Sequence, residues 1–274
     1  MAYQPHPNPA LPGKSYEALY DDAFYRRQVA GSYLSAKKYM QILWPLLQPQ
    51  AAIDVGCGRG AWLKALKEHG ASQLVGFDGE WNSQQNMIDP AITFHAGDLN
   101  AQFADGFPQR FDLAISLEVA EHLEEASAAG FVRSLTALSD VVLFGAAYSG
   151  QGGTHHINEK PHHYWARLFE SHQYLPFDLF RPIVWGDPEV EYWYQQNTFL
   201  YVRNYSAPFL TLMGAGQSPV KNSLFLNCLH PTLYELYVNK RPVEEAINEC
   251  ILNPLRQLKS RLISLTSMKS LSAR

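Results

Sequence analysis

Asp54 leads into a run of closely spaced glycines, Asp54-Val55-Gly56-Cys57-Gly58-Arg59-Gly60. Glycines at this spacing let the backbone bend tightly and approach a ligand, because no Cβ stands in the way. The carboxylate ahead of them favours a ligand that brings positive charge to that spot. Asp78 ends the next apolar run, at about the interval where a carboxylate accepts both hydroxyls of a ribose. Asp98 and Leu99 follow the third apolar run in a Gly-Asp-Leu loop. Glu118, Glu121 and His122 share one face if their stretch enters a helix, and two carboxylates with an imidazole suit a divalent cation such as Mg²⁺, Mn²⁺ or Zn²⁺. The plainer alternative is a helix cap, a solvated charge and a ring packed on a sheet. His155 and His156, in Thr154-His155-His156-Ile157-Asn158-Glu159, offer an imidazole fit for a fourth ligand or a general base. Adjacent histidines seldom point the same way, so at most one of them acts.

These residues need a scaffold that delivers them to one edge. Strands are predicted at Ala51–Val55, Gln73–Phe77, Ile92–His95, Phe111–Ser116 and Val141–Ala146. Helices are predicted at Ala61–His69, stopped by Gly70, and at Ser127–Leu138. This alternation implies right-handed crossovers and a parallel sheet with ligands at the strands' C-terminal ends. After residue 147 come a polar loop, a helix around His162–Ser171, and strands at Tyr174–Phe180 and Thr198–Val202. An aromatic-rich segment, 189–196, lies between those strands. No role is read for His162 or His163, placed near the start of their helix. The expected organisation is a flexible proline-rich arm over 1–14, a helical cap over 15–49, a core over 50–205 and a helical extension over 206–274. In the extension, Val243, Ile247, Ile251, Leu255, Leu258 and Leu262 fall near one helical face, which suits edge packing or a homodimer. The basic tail after Asn253 could also touch a membrane or RNA.

The glycine turn alone fits two ligands. It satisfies the G-x-G-x-x-G/A fingerprint of NAD enzymes, and it resembles the D-x-G-x-G motif of class I methyltransferases that use S-adenosylmethionine (SAM). Asp54 favours SAM, whose methionine end carries an ammonium, whereas a carboxylate beside a pyrophosphate is repelled. The order of D-x-G-x-G, acid after the second strand, G-D-L after the third and FDLxxS-x-E at the fourth resembles that superfamily over about residues 50–150. It extends by order of elements to about 203. The resemblance implies a Rossmann-like α/β fold, a seven-stranded mostly parallel sheet with its last strand antiparallel. It implies a cofactor set of Asp54, Gly56, Cys57, Gly58, Asp78, Gly79, Asp98, Leu99, Leu117 and Glu118, with Asp98 and Leu99 at the adenine.

The E-x-x-E-H pattern looks like that of methyltransferases acting on small-RNA 3′ ends and of ubiquinone-pathway O-methyltransferases. There it implies metal ligands, here Glu118, Glu121, His122 and His156, that hold substrate hydroxyls near the methyl donor. His156 and His122 are the implied catalytic residues, His156 because G-G-T-x-H-x-N-E aligns it. Together with AWLKAL, HHYWARLF and NTFLY, the chain resembles bacterial O-methyltransferases of surface-glycan and secondary-metabolite pathways. Trp185, Trp193 and Tyr194 could line a sugar or aromatic pocket, or pack in the core. The NPPY-type signature of adenine and glutamine N-methyltransferases is missing; residues 116–119 read SLEV.

Composition sets the outer bounds. At 274 residues, 46% hydrophobic and 18% charged, the chain can bury a good core. A formal charge of −4 argues against a protein held to nucleic acid mainly by a basic surface. Cys57, Cys228 and Cys250 lie far apart and propose no disulfide framework. With neither a signal-peptide pattern at its start nor a membrane span, the protein is expected in the cytoplasm, acting on a small-molecule acceptor. An NAD-dependent oxidoreductase, an RNA-end 2′-O-methyltransferase and a noncatalytic SAM-fold partner subunit are the alternatives.

Overall fold

The computed structural model describes residues 22–240, in two compact units that divide between His230 and Pro231. In the first unit, α1 (Asp22–Leu43) precedes β1 (Ala51–Val55), α2 (Ala61–His69), β2 (Gln73–Asp78), β3 (Ile92–Ala96) and β4 (Leu113–Leu117). Then follow α3 (Ala128–Leu138), β5 (Val141–Gly145), α4 (His162–Ser171), β6 (Tyr174–Phe177) and α5 (Arg181–Val184). The unit continues with α6 (Tyr192–Asn197), β7 (Phe199–Arg203) and α7 (Ala207–Gly214). The second unit contributes one described helix, α8 (Pro231–Lys240). The expected arm over 1–14, the 243–262 helical face and the basic tail lie outside the described residues.

The sheet has seven strands in the order β3-β2-β1-β4-β5-β7-β6. β1 through β5 run parallel, and only β7 is antiparallel to its neighbours β5 and β6. This is the expected α/β fold. The strands β1, β4 and β5 are buried almost throughout, as central parallel strands covered on both faces must be. On one side, α1 presents Ala36, Tyr39, Met40 and Leu43 at helical spacing and packs on Trp62, Leu63 and Leu66 of α2. On the other, α3 and α4 bury Phe131, Leu135, Trp165 and Phe169. Burial of each such large side chain contributes roughly 1.5–3 kcal/mol. These layers make a rigid floor for the loops above.

Several elements depart from the sequence reading. β4 begins at Leu113, because Phe111 makes only an isolated bridge to Ser139 and the Asp112 carboxylate binds the N–H groups of Gln50 and Ala51. β6 stops at Phe177, where Asp178 instead pairs with Arg181 at 2.6 Å. The aromatic-rich segment before β7 forms α6. The largest departure concerns 118–122. No α-helix forms there: Glu118 takes a left-handed conformation (φ 56°), and Ala120–His122 is a single 3₁₀ turn. Its carbonyls have distant partners, for Glu121 O accepts from Ile157 N at 2.9 Å and Asn158 N at 3.0 Å.

Candidate functional site

The C-terminal ends of β1 to β4 enclose a cavity of about 770 Å³, bounded by the glycine turn, the Asp78–Asn82 loop, the Gly97–Asn100 loop and the 118–123 turn. A second, inner cavity of about 90 Å³ lies under the glycine turn against Ser32, Trp62 and Tyr194. Gly56, Gly58, Arg59 and Glu118 border both.

The turn's geometry follows from its glycines. Gly56, Gly58 and Gly60 all have positive φ, at 82°, 52° and 84°. A Cβ on Gly56 would sit 2.3 Å from Val119 Cγ2, whereas one on Gly58 would meet nothing within 4 Å. Gly58 therefore presents bare backbone to the large cavity. Asp78 braces it: one carboxylate oxygen accepts from Gly58 N at 2.7 Å and the other from Gly79 N at 2.8 Å. Asn82 donates to Gly58 O at 2.5 Å.

Asp54 is buried and lines the inner cavity, with no cationic partner among the described residues. Burial, and then the charge of Asp78, hold its carboxyl well above the usual range. Burial likewise raises Asp78 to about 6, against the lowering effect of its N–H donors. Two carboxyl groups are kept close where water is scarce, an arrangement that suits a cationic or hydroxyl-bearing ligand. Asp98 is exposed, with one oxygen bound to Asn100 N at 2.9 Å, and lines the large cavity beside buried Leu99. Leu117 and Cys57 line the inner cavity, and burial pushes the Cys57 thiol up. Gly79 borders the large one.

Glu121, His122 and His156 converge, with one ligating atom from each lying within 4.8 Å of the others. The loop after β5 makes this possible by binding the Glu121 carbonyl through Ile157 and Asn158, which brings the His156 ring edge-on to His122 at 4.8 Å between centroids. Glu121 is fully buried, and neither of its carboxylate oxygens has a hydrogen-bond partner. Burial, reinforced by the charge of Glu118, raises its carboxyl far above the ordinary value. An unpaired buried carboxylate costs several kcal/mol. That cost is avoided if the group is protonated or takes a cation. Burial, assisted by His156, lowers His122 to about 4, which keeps the ring neutral.

Glu118, expected as a ligand of the same cation, is turned elsewhere. Its oxygens accept from Asn197 at 2.9 Å and Gln151 at 3.0 Å, so it stands outside the converging group. Glu159, given no role in the sequence reading, accepts from Gly150 N at 2.6 Å and Gly152 N at 2.7 Å and pairs with His156 Nδ1 at 2.8 Å. Burial opposes its charge, but these bonds hold it below the ordinary glutamate value. Its position three residues after His156 in a glycine-rich loop was the signal available. Of the aromatic residues, Tyr194 lines the inner cavity, Trp193 packs against the core and Trp185 contacts the His230 ring. His162 is buried, between Leu226 O at 2.8 Å and Asn197 Oδ1 at 3.0 Å.

Comparison with known proteins assigns the family. Residues 25–177 match the model of a methyltransferase domain. No curated protein sequence matches. Similar solved structures include an O-methyltransferase family protein from Burkholderia thailandensis, at 12% identity and a TM-score of 0.48, covering 68% of this chain and 60% of that one. The chain thus spans less than two thirds of that protein. Another is magnesium protoporphyrin IX methyltransferase from Synechocystis PCC 6803, at 16% identity and a TM-score of 0.45, covering 70% of this chain and 90% of that one. A third is the methyltransferase domain of bacterial CtHen1, at 18% identity and a TM-score of 0.44, covering 61% and 95%. With its domain match over more than half its length and its strand order, the chain belongs to the methyltransferase-domain family, with the Rossmann-like fold of class I SAM-dependent methyltransferases.

Proposed function

We propose that this protein is a SAM-dependent O-methyltransferase of a hydroxylated small molecule, such as a sugar, a nucleotide sugar or a secondary metabolite, assisted by a divalent cation. The observation that carries the reading is the position of His122, which lines the large cavity and also belongs to the Glu121–His122–His156 group. Donor and acceptor machinery thus share a wall. Asp54 pairs with the ammonium of the methionine end, Asp78 accepts the ribose hydroxyls, and Asp98 with Leu99 meets the adenine. The partnerless oxygens of Glu121 and the neutral His122 ring fit a cation such as Mg²⁺, Mn²⁺ or Zn²⁺, with His156 completing the set. When bound, that cation supplies a Lewis acid that makes an acceptor hydroxyl easier to deprotonate.

The transfer itself is an in-line displacement. The acceptor oxygen forms a bond to the methyl carbon as the bond to sulfur breaks, and S-adenosylhomocysteine leaves. The chain's work is alignment and removal of the hydroxyl proton. Glu159 engages His156 Nδ1, leaving Nε2 as the nitrogen available to ligate or to take that proton. An alcohol's high pKa makes such help useful, which favours oxygen over carbon or nitrogen as the methylated atom.

The test is incubation with methyl-labelled SAM and a panel of nucleotide sugars, phenols and RNA 3′ ends, with and without EDTA. EDTA-sensitive label on a hydroxylated small molecule is the expected result. Label on RNA alone, or on no acceptor, contradicts the reading.

A further inference from the structure

Glu118 is the side chain that borders both cavities while facing neither a lysine nor an arginine partner among the described residues. Its two oxygens are held by neutral amides, Asn197 Nδ2 on Oε1 at 2.9 Å and Gln151 Nε2 on Oε2 at 3.0 Å. The orientation of both amides is dictated from behind, by backbone. His230 N donates to Gln196 Oε1 at 2.7 Å, which leaves Gln196 Nε2 to donate to Asn197 Oδ1 at 2.9 Å. Asn197 must then direct its NH₂ away from Gln196, toward Glu118. Tyr148 N donates to Gln151 Oε1 at 3.3 Å, and Asn197 adds a second donation to the same oxygen at 3.0 Å. Gln151 therefore also turns its NH₂ to Glu118. Flipping either amide would set its oxygen against Glu118 and its NH₂ against the donor behind it.

Gln196 and Asn197 are 0% and 1% exposed and Gln151 is 7% exposed, so water cannot substitute for these donors. The network also supports an unfavourable backbone. A non-glycine residue in the left-handed region is strained, and the two hydrogen bonds to its side chain hold Glu118 there (φ 56°). The product is a carboxyl group fixed on the wall of the inner cavity that Asp54 and Arg59 also line, its pKa raised by burial and without a lysine or arginine ion pair among the described residues.

We infer that Asn197 and Gln151 are positioning residues for cofactor binding: they fix Glu118 as a second carboxylate, alongside Asp54, for the cationic methionine end of SAM. The inference rests on the SAM reading above. It assigns Glu118 to the donor side of the site and leaves cation binding to Glu121, His122 and His156.

Calorimetric titration of the full chain with SAM and with 5′-methylthioadenosine, which lacks the amino-acid end and the sulfonium, tests it. Asn197→Leu and Gln151→Met are compared with the wild type, each checked for a cooperative melt. We expect SAM affinity to fall about tenfold or more in Asn197→Leu and severalfold in Gln151→Met, with methylthioadenosine affinity within about twofold of wild type. Where Asn197→Leu does not fold, Gln151→Met carries the test. Equal losses for both ligands, as general loosening would give, overturn the inference, and so does unchanged SAM affinity. A wild type that binds no SAM overturns the cofactor reading itself and the inference with it.

Discussion

Asp54, Asp78 and Glu118 line one pair of cavities, and buried Glu121 lies in the same 118–122 turn as Glu118, so four carboxyl groups meet where water is scarce. Asp78 titrates near 6 in the folded protein, raised by burial from its ordinary value. A raised carboxyl favours the ligand-free fold below its unfolded pKa, and that contribution is lost as pH rises through about 6. On the proposed reading cofactor binding runs the other way, because accepting ribose hydroxyls and an ammonium would require the ionised forms of Asp78 and Asp54. SAM affinity should therefore rise as pH passes upward through about 6; a flat calorimetric profile at constant ionic strength would contradict this. Asp54→Asn removes a raised, partnerless carboxylate, so the ligand-free variant should melt a few degrees higher than wild type while binding SAM more weakly. At Glu121, exchange of the carboxylate for an amide should cost tenfold or more in Mn²⁺ affinity by calorimetry and leave SAM affinity within about threefold. A variant with Mn²⁺ affinity unchanged would remove Glu121 from the cation site.

The glycine turn shows how one element divides its positions between folding and binding. Gly56→Ala would drive a Cβ into buried Val119, and overpacking of that sort costs about 1–3 kcal/mol on top of left-handed strain. Gly58→Ala has open space, so it should cost only about 1 kcal/mol, a fall in melting temperature of roughly 2–4 °C. Its methyl nevertheless lies at the large cavity, and SAM affinity should drop at least tenfold. Equal damage by both substitutions would contradict this division. The turn and its flanking elements were legible in the sequence because their causes are local. α2 runs from Ala61 to His69 as its apolar spacing predicts, and Gly70 ends it in a left-handed cap. The 118–122 turn was not legible as a turn, because its conformation is fixed by Ile157, Asn158, Gln151 and Asn197, all from distant loops and helices. Residue types proposed Glu118, Glu121, His122 and His156 as one group, of which the last three converge; the partners of Glu118 and the anchor at Glu159 needed the tertiary fold.

At the scale of the whole molecule, a parallel sheet with an antiparallel β7 carries its chemistry on one edge, and α1 and α6 close the inner cavity through Ser32 and Tyr194, whose hydroxyls lie 2.9 Å apart. Ligand that binds only the folded state stabilises it by about 2.7 kcal/mol at a hundredfold excess over Kd, which for a chain of this size raises the melting temperature by roughly 5–10 °C. SAM should produce a shift of that order and NAD⁺ none. No helix among the described residues is long and apolar enough to cross a membrane, and none of these measurements needs lipid. The most direct test of SAM binding at Asp54 is isothermal titration of wild type and Asp54→Asn with SAM, each run again with NAD⁺. One SAM per chain is expected for wild type, affinity at least tenfold weaker for Asp54→Asn, and no heat from NAD⁺; equal SAM affinity in both proteins, or binding of NAD⁺ in place of SAM, would contradict that assignment.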